Sequence, residues 1–116
     1  MLADVVDEEY AYLTTGGRVS GEPHEIEIWF ATDGSTAWLI SGAHDRSDWV
    51  RNLLARASAR LRIGAVILDV HARCAIVDPV ERERVARMLH DKYARQVSAA
   101  VEEWIADAYL VALDPA

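Results

Sequence analysis

The stretch Val66–Val77 alternates more cleanly than any other part of the chain, and it constrains the fold most. Val66, Leu68, Val70, Ala72, Cys74 and Ile76 fall on one face, with Asp69, His71 and Arg73 on the other. A period of two marks a strand with one dry face. Twelve residues is long for a strand, and strands of that length coil or close into barrels. Such a strand needs other strands to cover its apolar side.

The rest of the chain supplies them. Glu9–Thr15, with Tyr10, Tyr12 and two threonines, suits a strand. His24–Ala31 alternates Ile26, Ile28 and Phe30 against Glu25, Glu27 and Trp29. Asp33-Gly34 is a hairpin signal, and Thr36–Ser41 is the partner strand, with Trp38 and Ile40 on one face. Arg60–Ile63 is a short strand that stops at Gly64, and Tyr109–Leu113 closes the set. The period shifts toward helix at Asp45–Ala57, where Trp49 and Leu53, and Val50 and Leu54, sit four apart and Asp45 or Ser47 can cap the start. Asp78-Pro79-Val80-Glu81 opens a second helix that runs to Tyr93 with Val85, Met88, Leu89 and Tyr93 inward. Ser98–Ala106 reads as a third, short helix. About six strands and three helices that do not alternate exclude a doubly wound α/β fold. The expectation is one mainly β (α+β) domain over residues 1–116, an antiparallel barrel-like sheet with packed helices.

Charge and composition narrow the function. The 116 residues carry 19 acidic and 12 basic side chains, a formal charge of −7. That balance disfavours nucleic acid and anionic membrane as partners. One cysteine, Cys74, precludes an intrachain disulfide or a cysteine-rich zinc site. Met1–Tyr10 holds four acids and no base, the reverse of a secretory leader, and the longest apolar run, Ala108–Leu113, is six residues. A soluble, cytoplasmic protein is expected.

Phosphate-binding P-loop, dinucleotide, zinc-protease and serine-hydrolase motifs are all missing from the sequence. His24, His44, His71 and His90 are scattered without ligand spacing, so no metal site is expected. Cys74 on an apolar strand face reads as an inert, buried thiol. Glu25 and Glu27 read as a solvated edge. Two segments stand out. In Thr14–Pro23, three glycines let backbone N–H groups approach an anion, and Arg18 and Ser20 add donors; a plain hairpin loop with an exposed arginine reads the same. In His44–Arg62, five arginines face two aspartates, a local +3 that leaves −10 on the remainder. That stretch suits an anionic ligand or, with Asp48 pairing Arg51, a solvated helix face. Trp29, Trp38 and Trp49 offer stacking surface to a planar ligand, or core packing.

These residues resemble the deazaflavin-dependent nitroreductase family. Leu13-Thr-Thr-Gly-Gly-Arg-Val-Ser-Gly-Glu-Pro23 is similar to its Thr-Thr-Gly-Arg-x-Ser-Gly-x-Pro-Arg loop, and Ile28-Trp29-Phe30 to the strand that follows. Leu39-Ile-Ser-Gly42 and Ser47-Asp-Trp-Val-Arg-Asn-Leu53 match its central block, and Asp78-Pro79, Glu81 and Lys92-Tyr93 echo its C-terminal helix. The resemblance covers about residues 10–113. It implies a split β-barrel and an oxidoreductase in which reduced coenzyme F420 passes hydride to a quinone, nitro compound or enone. It implies that Arg18 and Ser20 hold the phosphate-bearing tail, with Ser41 and Gly42 beside the deazaflavin ring. Trp49, Arg51 and Asn52 would shape the pocket from the helix and Trp29 from the strand, with no catalytic side chain and no metal. Val19, Glu22 and His24 stand where the family commonly carries basic residues. FMN on the same fold is the alternative cofactor; a non-catalytic module binding flavin, haem or lipid is the alternative function. A homodimer is the expected assembly.

Overall fold

The computed structural model describes residues 1–42, 44–93 and 108–116. Its strands are β1 (Tyr10–Gly16), β2 (Pro23–Thr32), β3 (Ala37–Ser41), β4 (Ser58–Ile63), β5 (Val66–Arg73) and β6 (Tyr109–Pro115). Helices α1 (Asp48–Ala55) and α2 (Pro79–Tyr93) join them, with short 3-10 turns at Leu2–Val5 and His44–Arg46. The sheet closes as a barrel in the order β1-β2-β3-β6-β5-β4, and β4 bonds back to β1. Every pairing is antiparallel. The mainly β, six-stranded barrel is as expected. The third helix, Ser98–Ala106, lies outside the described residues.

Alternation explains the barrel's inside. Leu13, Phe30, Leu39, Leu61, Ile63, Leu68, Val70, Val111 and Leu113 point inward and are buried. Leu2 and Val5 close one end of this core, beside the hairpin tips at Gly34 and Gly64; Val50 and Leu53 of α1 join the same core. A second core lies outside the barrel. There Ala31, Trp38, Ile40, Leu110 and Ala112 meet Val85, Leu89 and Tyr93 of α2. All five residues of β3 are buried, because one face looks into the barrel and the other lies under that second core.

Two elements are shorter than their patterns. β5 ends at Arg73, not Val77. Ala75 takes φ +57 and turns the chain out of the ladder, so Ile76 packs in the outer core with α2 instead of the barrel interior. Arg73 anchors the departure, bonding Asp114 at 2.7 Å and Glu81 at 3.0 Å. The expected helix over Asp45–Ala57 is broken at Ser47, whose ψ of 140 is extended, into a 3-10 turn at His44–Arg46 and the eight residues of α1. Ser47 holds the capping position, but its side chain gives the helix no bond. Its hydroxyl lies 2.7 Å from Ser41 Oγ, which donates to His44 O at 2.8 Å. Leu54 is exposed, so the inward stripe of α1 is Val50, Leu53 and one polar residue, Asn52.

Candidate active site

The β1–β2 loop and α1 face each other at the end of the barrel away from Leu2. The loop is tight because Gly17 N–H donates to Glu22 O and Gly21 N–H donates back to Gly17 O, both at 2.8 Å. A Cβ on Gly17 would lie about 3 Å from Ser20 Oγ, Glu22 O and His24 Nε2, so only glycine lets these three groups close in. Gly21 adopts φ +77 to complete the turn.

Asn52 ties this loop to the helix. It is 3 % exposed. Its Nδ2 donates to Thr15 Oγ1 at 3.0 Å. Its Oδ1 accepts from Arg18 twice, from the backbone N–H at 3.2 Å and from Nη1 at 2.9 Å. Burying an amide is costly unless its groups are bonded, and here donor and acceptor are both used. Arg18 Nη2 also reaches Asp48 Oδ1 at 3.3 Å. The result is a guanidinium fixed at the mouth of a cavity of about 390 Å³ lined by Thr15, Gly17, Arg18, Val19, Ser20, His24, Glu25, Ile26, Asp48, Trp49 and Asn52. That volume lies at the lower end of the range for small-molecule sites, ~300–1,000 Å³.

Four of the sequence-predicted residues therefore meet: Arg18, Ser20, Trp49 and Asn52. Four do not line this cavity. Ser41 is buried and bonds the start of the α1 segment, and Gly42 follows it on the surface. Arg51 is exposed on α1. Trp29 points from the opposite face of β2 to Ile26 and stacks on Tyr93, with centroids 4.2 Å apart and planes at 8°. The period-2 alternation that puts Ile26 at the pocket puts Trp29 against α2.

The arginine-rich segment divides in the same way. Arg60 pairs with Asp69 and Arg62 with Glu25 on the sheet exterior, and Arg62 lies over the Tyr12 ring at 4.2 Å. Asp48 pairs with Arg18, not with Arg51 one turn along α1. Asp48, Thr15 and Glu25 were not anticipated as site residues. For Asp48 the signal was its place beside Trp49 in the central block; the partner across the loop was invisible. Cys74 is half-buried, and burial pushes its thiol pKa up, which suits an unreactive side chain. Among the described residues no group of histidine, cysteine and carboxylate ligands could hold a metal.

A family model described as F420H(2)-dependent quinone reductase matches residues 4–105. The chain belongs to that family. It is an F420-dependent reductase, and coenzyme F420 is its cofactor. A search of curated proteins finds no match. Among solved structures it is similar to an F420-H2 dependent reductase, FDR-A, at 19% identity and TM-score 0.73, over 95% of this chain and 97% of that one. It is also similar to the protein Rv2991 from Mycobacterium tuberculosis, at 20% identity and TM-score 0.76, over 98% and 78%. HutZ, the haem storage protein from Vibrio cholerae, shares 12% identity and TM-score 0.76, over 99% and 87%. At these identities the three structures share the fold. No helix among the described residues is long and apolar enough to cross a membrane.

The residues present fit the cofactor. A phosphate needs N–H and O–H donors on a rigid frame. The Arg18 guanidinium meets Asn52 through Nη1 and Asp48 through Nη2, two of the nitrogens that carry its five N–H groups. Ser20 lies beside it, and the Trp49 indole and Ile26 give the cavity an apolar wall.

Proposed function

We propose that the cavity between the glycine loop and α1 takes the phosphate-bearing end of reduced F420, and that the protein passes hydride from it to a quinone, a nitro compound or an enone. The observation that carries this reading is Arg18, held at the cavity mouth by a buried asparagine. A cation fixed in advance loses little freedom on binding an anion. When bound, the deazaflavin supplies a two-electron hydride.

The side chains bind, orient and exclude water. Arg18 and Ser20 donate to the phosphate. Trp49 and Asn52 shape the wall from α1. Ser41 and Gly42, at the end of β3 next to the α1 segment, flank the ring, and Arg51 adds positive charge on the outer side of the helix. Trp29 acts at one remove, by setting α2 against β2. Product protonation comes from solvent. The assembly proposed is a homodimer working on small molecules in the cytoplasm; a structural neighbour at 19% identity and TM-score 0.73 is described as a domain-swapped dimer.

Titration of purified protein with reduced and oxidised F420 tests the reading. Saturable binding at micromolar cofactor, ~8 kcal/mol, followed by quinone-dependent oxidation of the reduced form, is the expected result. No saturation with either form overturns it. Protein that emerges yellow from a host lacking F420 assigns the site to FMN instead.

A further inference from the structure

The ion pair between Arg18 and Asp48 sits where the proposed phosphate site is, and it bears on which phosphate can enter. Arg18 is one-third exposed and Asp48 is 86% exposed. The arginine is therefore held by its buried partner Asn52, while the aspartate approaches from solvent. A carboxylate 3.3 Å from the guanidinium already satisfies part of its charge. Glu25 adds a second acid to the lining, and its ion pair with Arg62 is long at 3.8 Å.

We infer that Asp48 is a charge filter: as resident counter-ion of Arg18 it cuts the advantage that a doubly charged phosphomonoester would otherwise have over a singly charged phosphodiester. This rests on the reading of the cavity as the phosphate site. An anion can reach the guanidinium N–H groups left by Asn52 without breaking that bond, but it then lies close to the Asp48 carboxylate. Both the pull of Arg18 and the push of Asp48 scale with ligand charge, so by cancelling part of the Arg18 field Asp48 takes about twice as much from a dianion as from a monoanion at the same distance. The tail of F420 is attached through a phosphodiester, whereas FMN ends in a phosphomonoester. The filter would thus weigh against FMN more than against F420, two cofactors whose tricyclic rings are alike. Asp48 is also the first residue of α1, where an acid favours the helix dipole. A purely structural role there is blind to ligand charge.

A series with one ring and three charges tests this: riboflavin, the methyl ester of FMN and FMN itself, titrated by flavin fluorescence against wild type and Asp48→Asn. The expected gain in the variant is about two- to fivefold for FMN, less for the methyl ester and none for riboflavin, as suits one exposed ion pair. Equal changes for all three ligands, or a loss for FMN, overturn the inference. So does absence of FMN binding in both proteins, since the aspartate then excludes nothing. In an Arg18→Gln background the gain should disappear; a gain that persists in full shows that Asp48 does not act through Arg18. F420 titration is independent of this series, so failure of the cofactor reading and failure of the filter give different results.

Discussion

The loop–α1 end of the barrel and the α2 face use the same kinds of residue to opposite ends. Each has a tryptophan, a cation and a buried hydrogen-bonding group. On the α2 face, Trp29 stacks on Tyr93, whose hydroxyl donates to Glu9 O at 2.7 Å and also bonds the Phe30 backbone. Lys92 donates to Phe30 O at 3.1 Å and lies 3.4 Å above the Phe30 ring. These groups are turned inward, onto backbone oxygens and rings of the same face. At the loop end, Asn52 is likewise satisfied, but the groups it holds, Arg18 and its neighbours, border a cavity. A site forms where the fixed cation borders a cavity; a packed face forms where the cation lies against a ring and backbone of its own core.

Substitutions should separate the two regions, beginning with the largest effect. Leu89→Ala, in the outer core, should cost about 2–5 kcal/mol in denaturant unfolding, as a buried leucine truncation does, while the folded fraction binds cofactor with unchanged affinity. Asn52→Ala should cost about 1–3 kcal/mol of stability, because Thr15 and Arg18 lose a buried partner. Unlike Leu89→Ala, it should also weaken F420 binding, which calorimetry would read. Equal effects of these two variants on binding would erase the distinction. Arg18→Ala should weaken cofactor binding by about 1–3 kcal/mol, with a smaller loss of stability than Asn52→Ala, since Asn52 Oδ1 keeps the backbone N–H of residue 18 and Asp48 is exposed.

The smallest effect concerns pH. Burial brings the Lys92 pKa down from 10.5 to about 8, against the opposing pull of Asp7 and Glu8. A lysine whose folded pKa lies below its unfolded value binds fewer protons when folded, so stability rises as pH climbs through about 8. The rise should be visible from about pH 8 to 9 and absent in Lys92→Met. Above about pH 10 the trend reverses, because the Lys92 contribution ends near its unfolded value of 10.5 while burial has raised the pKa of Cys74 and lifts that of Tyr93 from 10 to about 12. A wild-type profile flat between pH 8 and 9 would show that Lys92 is not desolvated by this face.

Much of the barrel was legible in the chain because alternation is local. Ile26, Ile28 and Phe30, and Leu68, Val70 and Ala72, each report the face of a strand without reference to any partner. The helix over 79–93 was legible from Asp78, Pro79 and Glu81 at its start and from the spacing of Val85, Leu89 and Tyr93. The early end of β5 was not. Cys74 and Ile76 continue the alternation in sequence, while the turn at Ala75 and the ion pairs of Arg73 depend on α2 and β6. The glycine loop and the Asp-Trp-Val-Arg-Asn-Leu block were visible as motifs. Their bond through Asn52 links positions 34 residues apart, which no local pattern reports.

The sequence by itself determined the class of fold, the two segments that make the pocket and the family to which they belong, because periodicity, glycine placement and motif order are written along the chain. Tertiary structure alone decided which tryptophan meets the pocket, which acid pairs with Arg18 and which arginines are spent on the outer sheet. Those outcomes depend on which strand face and which helix turn come together in space. Barrel closure settles that, bringing residues far apart in sequence to within a hydrogen bond of each other.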